Sequence, residues 1–266
     1  MYTYSKEHKE YLKKKKKEKF IIFSFRFLII AIFLILWEVL AKYNIINTFL
    51  TSSPSMALNT ALKLFNSKNL FIHINITLYE TLISFSVATI IGIITATILW
   101  WNKLLAKIID PYLTILNSLP KVALGPLIII WVGASTNSII FMALLIATFV
   151  TIINIYNGFD ATDVGYITLL KSFKASKWQI FFKVVLPSNY GNIVNALKIN
   201  ISMSLIGVIM GELLVSKKGL GYLIMYGSQV FNINLVITSI FILGIMSYLM
   251  YYFISKIEKF IKKQSN

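Results

Sequence analysis

The sequence predicts an all-α integral membrane protein, a bundle of about six transmembrane helices, and three observations predict it. Hydrophobic residues make up 57% of the 266 positions and charged residues 14%, far from the balance of a soluble domain. Residues 81–102, 122–159 and 219–255 contain no Asp, Glu, Lys or Arg, and a spanning helix needs about 20 apolar residues. The net charge of +16 is gathered into short segments between the apolar stretches.

Taken in order, spans are expected at about 20–41, 78–101, 108–132, 138–157, 191–213 and 235–254. The run 27–37 also has the size of a signal-peptide core. The only small-residue site after it, Val39-Leu40-Ala41, is a poor cleavage site, so a retained first helix is expected. An even number of spans puts the basic tails 1–19 and 255–266 on one side. With the tails cytoplasmic, the inner segments hold eighteen lysines, among them residues 13–17, Lys103, Lys107, Lys171, Lys174, Lys177 and Lys183. The outer segments hold five: Lys42, Lys63, Lys68, Lys217 and Lys218. The positive-inside rule selects that orientation. Lysine runs beside a first span read as anchors in contact with anionic membrane lipid, not as a nucleic-acid surface.

The outer connector 42–77 contains "TSSPS" (51–55), a turn signal, and then a helical pattern through Met56, Leu58, Ala61, Leu62 and Phe65 that suits the outer surface. Of the acids near the spans, Glu38 is expected to snorkel outward, Glu80 to face headgroups at the start of the second span, and Asp110 to start a helix before Pro111. The third span carries Pro111, Pro120 and Pro126, each removing a backbone donor. Backbone freed in this way is tolerated only where protein or a water-filled cavity satisfies it. That leaves a span near a pathway or a kinked packing helix. In the segment 214–234, Gly219 and Gly221 permit a bend.

The largest inner loop, 158–190, resolves into two amphipathic pieces. The first is capped by Asp163 and repeats Tyr166, Leu169, Leu170 and Phe173. The second opens on a Ser176–Gln179 capping box and repeats Trp178, Phe181, Phe182 and Val185 up to Pro187, leaving Ile180 and Val184 on the lysine-bearing side. Such a pair suits either the inner leaflet or a cytosolic partner.

Other classes of function are poorly served. There is no cysteine, the histidines His8 and His73 are distant and read as solvated, and no acid or histidine cluster suggests a catalytic or metal centre, so no enzyme is expected. No G-x-x-x-x-G-K-[ST] pattern occurs, so no nucleotide cofactor is expected on this chain.

The segments "KASKWQIFFKVVLP" (174–187), "SLPKVALGPLIIIWVGAS" (118–135) and "GELLVSKKGLGYLI" (211–224), with "DPYL" and "SSPS", stand in an order and spacing covering most of 50–260. Together they resemble permease subunits of binding-protein-dependent ABC importers, of the nitrate, sulfonate and taurine branch. The first resembles the second half of that family's conserved cytoplasmic loop, the EAA loop. The resemblance implies a type I importer fold and a permease of the cytoplasmic (inner) membrane of a prokaryote. Its implied partners are a second permease copy, two cytosolic P-loop ATPase subunits that carry ATP and Mg, and an extracytoplasmic substrate-binding protein.

Loop 158–190 then implies an ATPase-coupling element, with Thr168, Leu169, Leu170, Lys174, Ala175, Ser176, Trp178, Ile180, Phe181, Val184 and Pro187 at its motif positions. Asn117, Pro120, Pro126, Gly211, Glu212, Gly219 and Gly221 fall at positions along the translocation path of a small anionic or heterocyclic solute. The chain departs from the family where Thr168, Leu169 and Leu170 replace Glu-Ala-Ala and Lys174 replaces Gly. A lysine in a left-handed turn costs about 1 kcal/mol relative to glycine. The alternative reading of the residues alone is an oligomeric ion or solute channel with no ATPase.

Overall fold

The computed structural model of the chain describes residues 6–264. Residues 1–5 and 265–266 of the expected tails, and the side chains of Lys6, Lys9, Lys259, Lys262 and Lys263, lie outside the described residues. In order the helices are α1 (Lys6–Lys42), α2 (Thr48–Thr51), α3 (Pro54–Asn66), α4 (Asn69–Trp101), α5 (Lys103–Ser118), a 3₁₀ turn (Lys121–Leu124), α6 (Gly125–Val132), α7 (Thr136–Asp160), α8 (Val164–Ser172), α9 (Lys177–Ile180), a π-helical turn (Phe181–Val185), α10 (Leu186–Ser188), α11 (Tyr190–Val215), α12 (Leu220–Gln229) and α13 (Ile233–Gln264). Among the described residues there is no strand. Five helices are long and apolar enough to cross a membrane, or six if α5 and the segment 121–132, bent by 79° at their junction, count as one span.

Several elements begin or end away from the expected places. The tail and first span form one helix, α1, because nothing between Lys6 and Lys42 breaks it. Its apolar stretch stays almost wholly exposed, tied to the rest where Trp37 stacks on Phe241 and the Glu38 carboxylate accepts the Ser55 N–H at 2.9 Å. Glu38 therefore caps α3 beside the Ser53 hydroxyl, which accepts the Met56 N–H. Helix α4 starts nine residues before the expected span. Asp110 lies exposed inside α5 and starts no helix: Asn102 caps α5 by accepting the Leu104 and Leu105 N–H groups.

Helix α7 sits between α4 and α11, and small residues let the three approach closely. On α4, Ser84, Ala88, Gly92 and Ala96 recur every four residues and are buried; Ala143, Ala147 and Thr151 do the same on α7. A Cβ on Gly207 of α11 would stand 2.4 Å from the Ala143 Cα. Lipid chains are as apolar as leucine, so helices in a bilayer associate through such close packing and through polar ties. One tie comes from a fully buried side chain: Asn200 on α11 donates to the Thr89 hydroxyl at 2.8 Å and to the Phe85 carbonyl at 3.3 Å.

At the end of α8 the chain turns sharply. The Ala175 N–H bonds the Leu170 carbonyl at 3.0 Å and the Lys174 N–H bonds that of Lys171 at 2.9 Å, with Lys174 at φ +56°. This is a Schellman motif, a C-terminal cap that glycine usually fills. The left-handed geometry is thus present with lysine in it.

Two outcomes are expected. Gly207→Ala, forced against the α7 backbone, loses about 1–3 kcal/mol and lowers the melting temperature in detergent. Gly244→Ala on α13, where a Cβ meets nothing within 4 Å, leaves it unchanged. Lys174→Gly raises stability by about 1 kcal/mol by removing the left-handed penalty; equal melting of the two proteins would show the turn to be unstrained.

Candidate functional site

The predicted site residues fall into three groups at three depths. The first is at the end of the bundle where α4 and α7 finish and α11 begins, the end rich in lysine. Phe181 is buried there among Trp100, Trp101 and Phe159, with ring centroids 5.1, 6.0 and 5.5 Å away. Ile180 and Val185 are buried with it, and Leu170 and Ala175 pack against the same cluster. The Ser176–Gln179 capping box is present, with the Gln179 side chain accepting the Ser176 N–H at 2.7 Å.

The second helical piece does not present the face that a plain 3.6-residue period implies. From Phe181 to Val185 it widens into a π turn, in which the Leu186 N–H bonds Phe181 O five residues back. The chain then continues through Pro187, which is exposed in α10 and does not end the helical path. Ile180, Phe181 and Val185 face inward while Trp178 and Phe182 stack on each other outside, 5.7 Å apart and 9° from parallel. Val184, expected opposite the core face, is half-buried.

The block is held by polar bonds as well. Lys177 Nζ donates to the Trp101 carbonyl that ends α4 and lies over the Trp101 ring. Asn189 donates to the Thr162 hydroxyl and to the Val185 carbonyl, both at 2.8 Å. On the outer side of α8, Tyr166, Leu169 and Phe173 are 60%, 54% and 74% exposed, in line with exposed Thr168. Lys174 and Ser176 are exposed beside them.

The second group lies at the opposite end. Glu212 is 1% exposed, and its carboxylate accepts the Thr77 hydroxyl at 2.6 Å and the Gly221 N–H at 2.5 Å. Thr77 in turn accepts the Leu220 N–H at 2.8 Å, and the Gly219 N–H donates to His73 Nδ1 at 2.9 Å. Gly219 has φ +109°, and a Cβ on it would stand 2.3 Å from the Glu212 carboxylate carbon, so only glycine closes this loop. Gly211 presses against the α7 backbone at Ile139. Gly211, Glu212, Gly219 and Gly221 are thus brought together at one place, where the start of α12 folds back on the end of α11.

His73 and Glu80 differ from their expected roles. His73, half-buried, accepts a backbone bond and stacks on Tyr222, and Glu80 is buried beside Glu212, because α4 starts early enough to carry His73 as well as Glu80. The spacing of His73, Thr77 and Glu80 puts all three on one face of a helix. That polar stripe in an apolar segment was the available signal. Among the described residues no group of three or more His, Cys, Asp or Glu could hold a metal ion.

The third group lies between. Helix α5 packs along the half of α7 around Ile152, and α6 packs on the other half through Gly125 and Met142. The ladder breaks at Leu119 and Pro120, and the chain resumes with Pro126 in the first turn of α6. Pro111 sits inside α5 without interrupting it. Asn117, Ser118, Pro120 and Pro126 are exposed on this face.

Comparison with known proteins agrees with this architecture. Residues 88–263 match the family described as the binding-protein-dependent transport system inner membrane component. The chain is 28% identical over 225 residues to the formylaminopyrimidine transport permease protein ThiX of Halalkalibacterium halodurans, covering 85% of this chain and 89% of that one. It is 25% identical over 241 residues to the nitrate import permease protein NrtB of Synechocystis, covering 87% and 86%. With the taurine transport system permease protein TauC of Escherichia coli it shares 22% over 226 residues, covering 83% and 82%. A chain of the MetNI methionine ABC transporter in an inward-facing conformation superposes with a TM-score of 0.65 at 21% identity, over 73% of this chain and 96% of that chain, a likeness of fold. The chain therefore belongs to the binding-protein-dependent transport system inner membrane component family, as a multi-pass ABC importer permease of the nitrate, sulfonate and taurine branch and a transport subunit, not an enzyme.

Proposed function

We propose that this permease forms the translocation path for a small anionic or heterocyclic solute and is driven through α8 to α10 by a cytosolic ATPase. The lysine-rich end is cytoplasmic, by the positive-inside rule, and both termini lie there. The observation that carries the reading is the exposed row Tyr166, Leu169 and Phe173, apolar and outside the spans, on a block whose inner side is locked into the ends of α4, α7 and α11. An apolar surface held rigidly beyond the membrane suits a protein partner.

The partner is a pair of P-loop ATPase subunits binding ATP and Mg, working on two permease copies, with an external binding protein delivering the solute. Closure of the ATPases pushes the block, and the block moves the three packed spans as one body between two states. The relatives' names range over nitrate, taurine and formylaminopyrimidine, which bounds the solute to this size class. Glu212 serves as the clasp that fixes the outer loop 216–221.

Mild-detergent purification of the tagged chain from native membranes is expected to bring down a stoichiometric P-loop ATPase. Leu169→Asp and Phe173→Asp, at exposed positions, lose it while still inserting. A clean homo-oligomer with ATPase activity absent favours the channel alternative instead. Glu212→Ala leaves the Thr77 hydroxyl and Gly221 N–H without their acceptor at a cost of about 1–3 kcal/mol. Tryptic cleavage after the exposed Lys217 and Lys218 should then accelerate several-fold, and an unchanged cleavage rate would refute the clasp.

A further inference from the structure

The broken span carries a cation beside the middle of a helix long and apolar enough to cross a membrane. Lys121 Nζ lies 5.6 Å from the centre of the Phe149 ring, and Phe149 is one residue from the midpoint of α7, a helix of 25 residues. At about 1.5 Å per residue Phe149 stands about 20 Å from one end of α7 and about 16 Å from the other, and the ammonium lies beside it. Its hydrogen bonds go to the Asn117 carbonyl at 3.0 Å and the Asn117 side-chain oxygen at 3.2 Å. Among the described residues the ion pair formed is Lys198 with Glu258, on other helices, and no carboxylate pairs with Lys121.

The residues around it are equally out of place against lipid. Asn117 and Ser118 are exposed, and the backbone ladder is interrupted at Leu119 and Pro120 on the same face. Freed peptide groups and an unpaired charge at this depth do not face hydrocarbon; they face protein or a water-filled cavity. Lipid phosphates lie at the membrane surfaces, roughly 15 Å from the midplane of a 30 Å core, and do not meet this lysine.

We infer that Lys121, steadied by Asn117, is the point in the translocation path that contacts the negative charge of the carried solute, and that the solute is therefore an oxyanion such as a carboxylate, a sulfonate or nitrate. The inference rests on the importer reading above and narrows its solute class from anionic or heterocyclic to anionic. The chemistry is a charge-assisted bond from one ammonium in a low-dielectric surround, strong enough to select charge and single enough to release it. The carbonyl and amide oxygens of Asn117 point the ammonium without neutralising it.

The absence of cysteine allows a direct test, because Lys121→Cys places a single thiol in the chain. The permease with its co-purified ATPase and binding protein is reconstituted in vesicles and treated with two charged thiol reagents. One, aminoethyl methanethiosulfonate, restores an ammonium; the other, sulfonatoethyl methanethiosulfonate, installs an anion. Mass spectrometry of this chain reads modification, with nitrate, methanesulfonate and taurine as protecting probes.

Both reagents are expected to react, and at least one probe to slow the reaction several-fold. Uptake of that labelled probe should fall about tenfold or more in the unmodified cysteine variant, the loss of one charge-assisted contact. It should return with the aminoethyl adduct and not with the sulfonatoethyl one. A thiol that resists both charged reagents, protection by none of the three probes, or wild-type uptake in the variant overturns the assignment. If the ATPase still co-purifies in those cases, the importer reading stands; if it fails to co-purify with the unaltered chain, that reading falls first.

Discussion

Everything in this structure depends on how closely α4, α7 and α11 approach one another. A bilayer offers apolar surfaces no hydrophobic reason to leave lipid for each other, so association is left to contact and to polar ties. Both are present here: Ala88, Gly92 and Ala96 against α7, Gly207 against the α7 backbone, and the buried Asn200 bridging to Thr89. Larger side chains at these positions would separate the helices and strand that amide. The close seam makes the three helices one mechanical piece.

The two ends of the piece are built from different materials, as their surroundings require. At the lysine-rich end an aromatic cluster around Phe181 fastens a loop block outside the spans, where apolar burial does operate and Lys177 can close the end of α4. At the other end Glu212, Thr77 and His73 satisfy the N–H groups at the start of α12, which would otherwise be orphaned inside the bundle. A force on the block reaches the clasp through rigid helices, which suits rocking between two states better than local deformation.

Among the described spans, α5–α6 is the one broken along its length. Its prolines free backbone groups where no headgroup can reach them, and Lys121 and Asn117 stand at the same break. Irregular backbone at such depth is tolerated beside protein or water, so the break marks the face along which solute passes in the proposed function.

Much of this was legible in the residues. Uncharged stretches, lysine asymmetry, proline positions and the ordered motifs depend on local composition, and local composition decides whether a segment prefers lipid and becomes a helix. The Asp163 cap and the Ser176–Gln179 box were readable for the same reason, since a cap spans three or four residues. What the tertiary structure alone decided were the partners. Periodicity placed Trp178 with Phe181 on one face, but only Phe181 is buried, while Trp178 stacks on Phe182 at the surface. Glu80 looked like a headgroup contact until the packing of α4 buried it, and His73 looked solvated until the Gly219 N–H and the Tyr222 ring met it. That the Glu212 carboxylate accepts the Thr77 hydroxyl and the Gly221 N–H was likewise visible only once the glycine loop folded back onto it. The contacts that bury Phe181 against Trp100 and tie Thr77 to Glu212 join residues far apart in the chain, and a pattern read along one helix carries the face of a residue but not what that face meets.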